Sequence, residues 1–470
     1  KALDDIGELR VVEGADWDLE IGAISELMRE QKGPSLLFDK VEGYPAGYRV
    51  AANLFGNPKQ YCLPHGISSD MSDDEFVQWW RGKMKAYEPV PPVKVKDGPL
   101  MENVINGEAV NMFRFPAPKW HELDGGRYIG TGSCTICRDP DSGTVNLGTY
   151  RIMIHDEKTI SFLVVPGKHG DVIRNKYWAK GQSCPVAVAF GQDPLLWTAS
   201  TQYNWPWGSS EYDLAGYLRG EPVEVLEGPL TGLPLPARAE IVIEGEAPPP
   251  DVDARPEGPF GEWNGYYGSG AATEPVIRVK AIYHRNNPII QGNPPYKPPL
   301  PHFPMPEHLL GQARTWNVLE ANGVTDFKVG GPAASTKIKV ISIKQRYAGH
   351  AAKAALIVAA HSYTMTFIIV VDDDIDPNNM DEVLWAMATR CDPQTSIDVV
   401  NNGWGSSLDP RITPEKKANH DYTSSFCIIY ATRPFSWANE YPAVNRFSDE
   451  YRKKMSEKWK SLLSLWVNKP

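Results

Sequence analysis

Cysteine is scarce, with six in 470 residues. That is too few for a disulfide framework and suits the reduced thiols of a cytosol. Cys134 and Cys137 form a C-x-x-C, but no second pair accompanies it and it lies in a strand-like stretch. Buried strand cysteines are therefore expected rather than a zinc or redox centre. Basic runs are missing, and 48 Lys and Arg against 58 Asp and Glu leave a formal charge of -10. This balance argues against nucleic acid or an anionic membrane surface and for a small-molecule partner. No apolar run reaches the length of a membrane span. The opening K-A-L-D-D-I-G also lacks the charged and apolar regions of a signal peptide. The expectation is a cytoplasmic protein, trimmed at its start because Met is missing.

What the chain does have is 40 Gly, 41 Pro and 15 Trp, the composition of fixed loops around an aromatic-walled pocket. Ile21, Ile24, Leu27 and Met28 recur at helical spacing, Gly33-Pro34 stops the helix, and S-L-L-F-D reads as a strand. A second helix covers 76–86, followed by the spacer P-V-P-P-V. From Met112 short apolar runs alternate with turn chemistry such as D-P-D-S-G, a β-meander whose further strands suggest a barrel-like sheet. The proline-rich stretch 293–306 excludes helix and central strand. A helix then starts near Pro306 and ends at Gly323. Beyond it strands and helices alternate as an open α/β layer. Asp372, Asp373 and Asp374 end its second strand, where acids leading towards a helix start are favoured over a metal site. A last helix from Ser448 carries Tyr451, Met455, Trp459, Leu462 and Trp466 on one face, a stripe expected to pack on another subunit. The division reads as 1–305 (an α/β part to 111, a strand-rich core from 112), a linker helix 306–324, an α/β domain 325–447 and a terminal helix 448–470.

The stretch R-P-E-G-P-F-G-E-W-N-G-Y-Y-G, from Arg255 to Gly268, holds Glu257 and Glu262 on either side of a Gly-Pro turn. Proline fixes φ and glycine reaches conformations closed to other residues, so the turn can aim both acids into one pocket. Aromatic neighbours thin out the water around an acid and push two carboxyl pKa values apart. A surface turn with two solvated acids is the competing reading. Asn146, His169 and Glu211 are types that Mg²⁺ or Mn²⁺ accepts, though dispersed ligands carry no spacing signature. Arg151 can clamp a carboxylate. Strict strand alternation sends Asn146 and Arg151 to opposite faces unless Gly148 hosts a bulge, and both arrangements stay open.

V-N-L-G-T-Y-R-I at 145–152, W-H-E-L-D-G-G-R-Y-I at 120–129, R-P-E-G-P-F-G-E with N-G-Y-Y-G, and V-I-S-I-K-Q-R at 340–346 together resemble the UbiD family. Its members are reversible (de)carboxylases of aromatic and α,β-unsaturated acids that use prenylated FMN. The resemblance covers nearly the whole chain. It implies a split β-barrel of flavin-reductase type for the cofactor domain, a second open α/β domain for oligomerisation, and a homo-oligomer, dimer or hexamer. It implies a catalytic set of Glu257, Arg151 and Glu262, with Glu262 the proton donor after covalent attachment of the substrate to the flavin and loss of CO₂. Mn²⁺ (or Mg²⁺), with K⁺ nearby, would bridge the flavin phosphate from Asn146, His169 and Glu211. Thr149, Tyr150, Arg151, Val164, Val165, Lys168, His169 and Gly170 would line the cofactor, and Lys344 would approach it from the second domain. Lys168 departs from members with Gln there. His302 and His420 are candidates for the substrate pocket, with surface histidines as the alternative. A companion flavin prenyltransferase would supply the cofactor. The competing functions are a flavin-reductase-like oxidoreductase and a metal-dependent hydrolase.

Overall fold

The computed structural model describes residues 1–202, 205–268, 270–298, 306–333 and 335–467, with side chains to 463. Among them four sheets form, and two matter for the site. The larger runs through strands 127–130, 152–156, 159–161, 272–284, 241–247, 184–190, 134–138 and 145–148 in that order, with 103–106 and Ala254–Glu257 also paired to the long strand Ala272–His284. Val145–Gly148 ends the path, yet Ile152–Asp156, next to its other end, follows after three residues. In a flat sheet six strand spacings of about 4.8 Å would separate them. Four Cα steps of about 3.8 Å cannot cover that distance. The sheet must therefore curl into a half-barrel, and Thr149, Tyr150 and Arg151 cross its open side. This answers the question left by strand alternation: Asn146 sits on a strand and Arg151 at the end of the link that follows it, so strict alternation does not apply and both line one cleft.

Apolar residues of alternating strands fill both faces of this sheet. Ile136, Ala187 and Val242 pack under the helices on one side, while Ile152, Val186 and Ile243 pack against the N-terminal layer on the other. That layer comprises strands Leu9–Glu13, Ser35–Asp39 and Arg49–Ala52, with the helix Glu20–Glu30. Cys134 and Cys137 are buried in a strand with free thiols, as the composition suggested.

The helix Glu307–Ala321 leads into a five-stranded mixed sheet ordered 327–330, 338–343, 367–372, 424–431, 397–403. Gly323, at φ +69°, follows the end of that helix. The acidic run behaves as neither reading predicted. Asp372 and Asp374 both pair with Arg390 and Arg433, whereas the next helix, Met380–Arg390, is capped by Asn379. The terminal helix is likewise two pieces, Asp449–Lys458 and Lys460–Val467, broken at Trp459. Tyr451, Trp459 and Leu462 are exposed, Met455 is half-buried, and the Trp466 side chain lies outside the described residues.

Candidate active site

The cleft lies between the half-barrel and the C-terminal sheet. The link 149–151 forms its floor, and the first turns of helices His169–Trp178, Glu211–Arg219 and Glu307–Ala321 border it. Asn146, Thr149, Tyr150, Arg151, Val165, Lys168, His169, Glu211 and Glu262 all line it. Val164 and Gly170 do not. Val164 is packed into the core, and Gly170 donates its N–H to the Tyr150 hydroxyl at 3.2 Å, supporting the wall from behind. Lys344, expected at the cofactor, is exposed, one residue beyond its strand and absent from the lining. His420 is exposed and hydrogen-bonded to Tyr422 at 3.1 Å, and His302 lies outside the described residues.

Arg151 joins the two acids. Its Nε and Nη2 donate to Glu257 Oε1 and Oε2 at 2.9 and 2.6 Å, and its Nη1 donates to Glu262 Oε1. Glu257 is 0 % exposed and sits behind the guanidinium, whereas Glu262 is 6 % exposed and faces the cleft. Burial opposes the Arg151 charge, but the two carboxylates outweigh it and raise its pKa. For Glu262 burial dominates. It raises the carboxyl above its ordinary range, Arg151 pulls it down, and Glu257 adds to the rise.

The motif 120–129 explains how the acid loop is held. Gly125 N–H donates to Pro259 O at 2.8 Å, where a Cβ on Gly125 would meet Gly258 O at 2.0 Å. Tyr128 packs on Phe260 with ring centroids 4.2 Å apart, and Asp124 accepts from Gly261 N at 3.4 Å. Only glycine tolerates that approach of two backbones.

At the other end Glu211 Oε1 accepts from Asn146 Nδ2 at 2.8 Å and Oε2 from Leu147 N at 2.7 Å. Glu211 is 3 % exposed, and burial pushes its carboxyl up to about 8 against those hydrogen bonds. A buried carboxylate of this kind is suited to a cation. Burial, and then Lys168, lower the pKa of His169, which favours the neutral imidazole that ligates metals. Among the described residues no group of three or more His, Cys, Asp and Glu gathers into a metal centre.

Lys168 and Lys339 are both pushed down to about 8 by burial first and by Arg314 second, with Glu307 opposing. Three cations against one carboxylate favour an anion in this part of the cleft, and the N-terminal ends of helices 169–178 and 211–219 add to that preference. Sequence reasoning missed Lys339, Arg314 and Glu307. Lys339 did leave a signal, as the one charged residue inside the apolar strand Ile338–Ile343.

The chain matches three family models: the 3-octaprenyl-4-hydroxybenzoate carboxy-lyase N-terminal domain over 1–79, the Rift-related domain over 92–298 and the C-terminal domain over 308–429. It is 33 % identical to the pyrrole-2-carboxylic acid decarboxylase of Pseudomonas aeruginosa, over 94 % of this chain and 93 % of that protein. The closed form of Sedimentibacter hydroxybenzoicus vanillic acid decarboxylase is similar in structure, with a TM-score of 0.83, 27 % identity, and coverage of 98 % of this chain and 97 % of that one. The UbiD-class enzyme HmfF from Pelotomaculum thermopropionicum in complex with FMN gives a TM-score of 0.78 at 28 % identity, covering 96 % of each chain. An evolved dimeric form of HmfF in complex with prFMN gives 0.75 at 26 %, again covering 96 % of each. With family models matching 1–79, 92–298 and 308–429 and a relative 33 % identical over 94 % of this chain, the chain belongs to the UbiD family of carboxy-lyases.

Proposed function

We propose that this enzyme catalyses the reversible, non-oxidative decarboxylation of an aromatic, heteroaromatic or α,β-unsaturated carboxylic acid on prenylated FMN. Of the two carboxyls tied to Arg151, only Glu262 faces the cleft, and this observation carries the assignment of proton donor. Losing CO₂ from an sp² carbon leaves an electron pair that no side chain can accept; prenylated FMN supplies the sink when bound. The chain's own residues do the rest. Arg151 ties Glu257 and Glu262 together at the cleft floor. The O–H of Glu262 breaks as its proton passes to the carbon that CO₂ has left, and the carboxylate so formed is held by Arg151. In the carboxylation direction the same oxygen removes that proton. Leu408, Met365 and Trp263 supply apolar wall and limit water.

The buried Glu211 would suit a divalent ion, and the cation-rich part of the cleft would suit the phosphate of a flavin. Asn146, His169 and Glu211 would hold Mn²⁺ or Mg²⁺, with K⁺ nearby, and Thr149, Tyr150, Val165 and Lys168 would line the flavin. Lys339, which lines the cleft, would approach the cofactor from the second domain in the role expected of Lys344. The cofactor domain, 1–305, would be a split barrel of flavin-reductase type and 325–447 an oligomerisation domain, in a cytoplasmic dimer or hexamer. A flavin-reductase-like oxidoreductase has no use for two acids bridged by one arginine.

Relatives acting on pyrrole-2-carboxylic and vanillic acids support a ring acid as substrate. The test is CO₂ release and deuterium exchange at the product carbon across aryl acids and enoates. Holoenzyme made with a flavin prenyltransferase would be compared with protein carrying plain FMN. Activity is expected only in the former; full turnover with plain FMN would sink the mechanism.

A further inference from the structure

Glu262 stands where the loop 257–268 changes its allegiance. Up to Gly261 the loop is fixed to the half-barrel. Glu257 and Pro256 pair with Ala272 and Thr273, Pro259 O accepts from Gly125, Phe260 packs on Tyr128, and Gly261 N reaches Asp124. After Glu262 contacts to the C-terminal domain begin, while Gly265 still lies against Pro298. Lys337 Nζ, which pairs with Asp409 at 3.0 Å, lies 5.5 Å from the Trp263 ring centroid, and Lys417 Nζ donates to Gly268 O. A Cβ on Gly268 would meet Leu408 O at 2.1 Å, so the two backbones are in contact. Tyr267 leans back towards Asp124.

Asn264 links the two sides. Its Oδ1 accepts from Tyr266 N at 3.0 Å, closing the turn in which Glu262 N donates to Tyr266 O at 3.0 Å and Gly265 N to Glu262 O at 2.8 Å. Its Nδ2 donates to Leu408 O at 2.7 Å. Leu408 lines the same cleft as Glu262. One amide thus joins the turn carrying the donor to a cleft wall of the other domain.

We infer that Asn264 is a positioning residue through which the C-terminal domain sets the placement of Glu262. The catalytic consequence rests on the assignment of Glu262 as donor made above. Docking of the C-terminal domain then governs proton delivery. Asparagine is needed because the link uses an acceptor and a donor on one short side chain; aspartate keeps the first and loses the second.

The experiment compares wild-type holoenzyme with N264A and N264D. Amide hydrogen exchange is followed in peptides covering 258–268 and 404–412, alongside kcat, KM and solvent deuterium entry into the product. N264D is expected to resemble N264A. Both peptides should exchange faster, kcat and deuterium entry should fall about tenfold, as for one lost hydrogen bond of 1.4 kcal/mol, and KM should change little. N264D matching the wild type in amide exchange would overturn the inference, because the side chain would then serve only the turn. Unchanged exchange in both variants would overturn it as well. The exchange arm reads the link whether or not any acid is turned over, so failure of the link and failure of the donor assignment are told apart.

Discussion

Arg151 grips Glu257 with two parallel hydrogen bonds of 2.9 and 2.6 Å from Nε and Nη2, leaving Nη1 for Glu262. The fork geometry of the guanidinium makes this division possible, since one edge is filled by a bidentate carboxylate and the remaining nitrogen still reaches a second. The pair is buried, so its value lies in placement more than in net stabilisation.

Glu257→Gln should therefore act through structure. Removing one charge of a buried pair typically costs about 3 kcal/mol, and the Arg151 side chain would lose its fixed orientation. Denaturant unfolding should show a lowered midpoint, and flavin content should fall with it. Unchanged stability and flavin content would argue that Glu257 is not Arg151's anchor.

Glu262→Gln keeps shape and hydrogen bonding but cannot transfer a proton. Turnover should drop by about 10² to 10⁴ and solvent deuterium should stop entering the product carbon. Near-normal exchange in this variant, with exchange abolished in Glu257→Gln, would move the donor role to Glu257.

The pH profile follows from the raised pKa of Glu262. Above the ordinary value of 4.5 an unfolded carboxyl ionises while the folded one keeps its proton, so this group's contribution to stability declines as pH rises through that window. The donor form persists to higher pH than for an ordinary carboxyl, and decarboxylation should fall on the alkaline side as it is lost. Glu262→Gln should remove that limb from whatever activity remains. A limb of the same midpoint in the variant would assign it to another group.

Glu211→Ala removes the one anionic member of the proposed metal set. Mn²⁺ and flavin content, measured by metal analysis and absorbance of the purified protein, should fall together. Full flavin occupancy would give Glu211 a different role.

Deleting the residues after Ser448 removes helices in which Trp459 is 49 % and Leu462 51 % exposed. Apolar surface of that kind is characteristic of subunit contacts. Light scattering should report a smaller assembly; an unaltered mass would place the interface elsewhere.

The sequence by itself determined the elements, because apolar periodicity and Gly/Pro punctuation are local. The strand S-L-L-F-D and the stop near Gly323 lie where those signals put them. It also determined the family, since ordered motifs survive without any knowledge of folding. The tertiary structure decided what depends on distant residues meeting. The curl of the sheet brought Asn146 and Arg151 to one cleft, which alternation alone left open. Burial depth separated Glu257 from Glu262, two acids five positions apart and equivalent as text. Partner choice turned Asp372 and Asp374 from a cap into anchors for Arg390 and Arg433, and depth in a strand put Lys339 rather than Lys344 at the cleft. Hydration and Coulomb energy depend on three-dimensional neighbours, so no reading of spacing along the chain contains them.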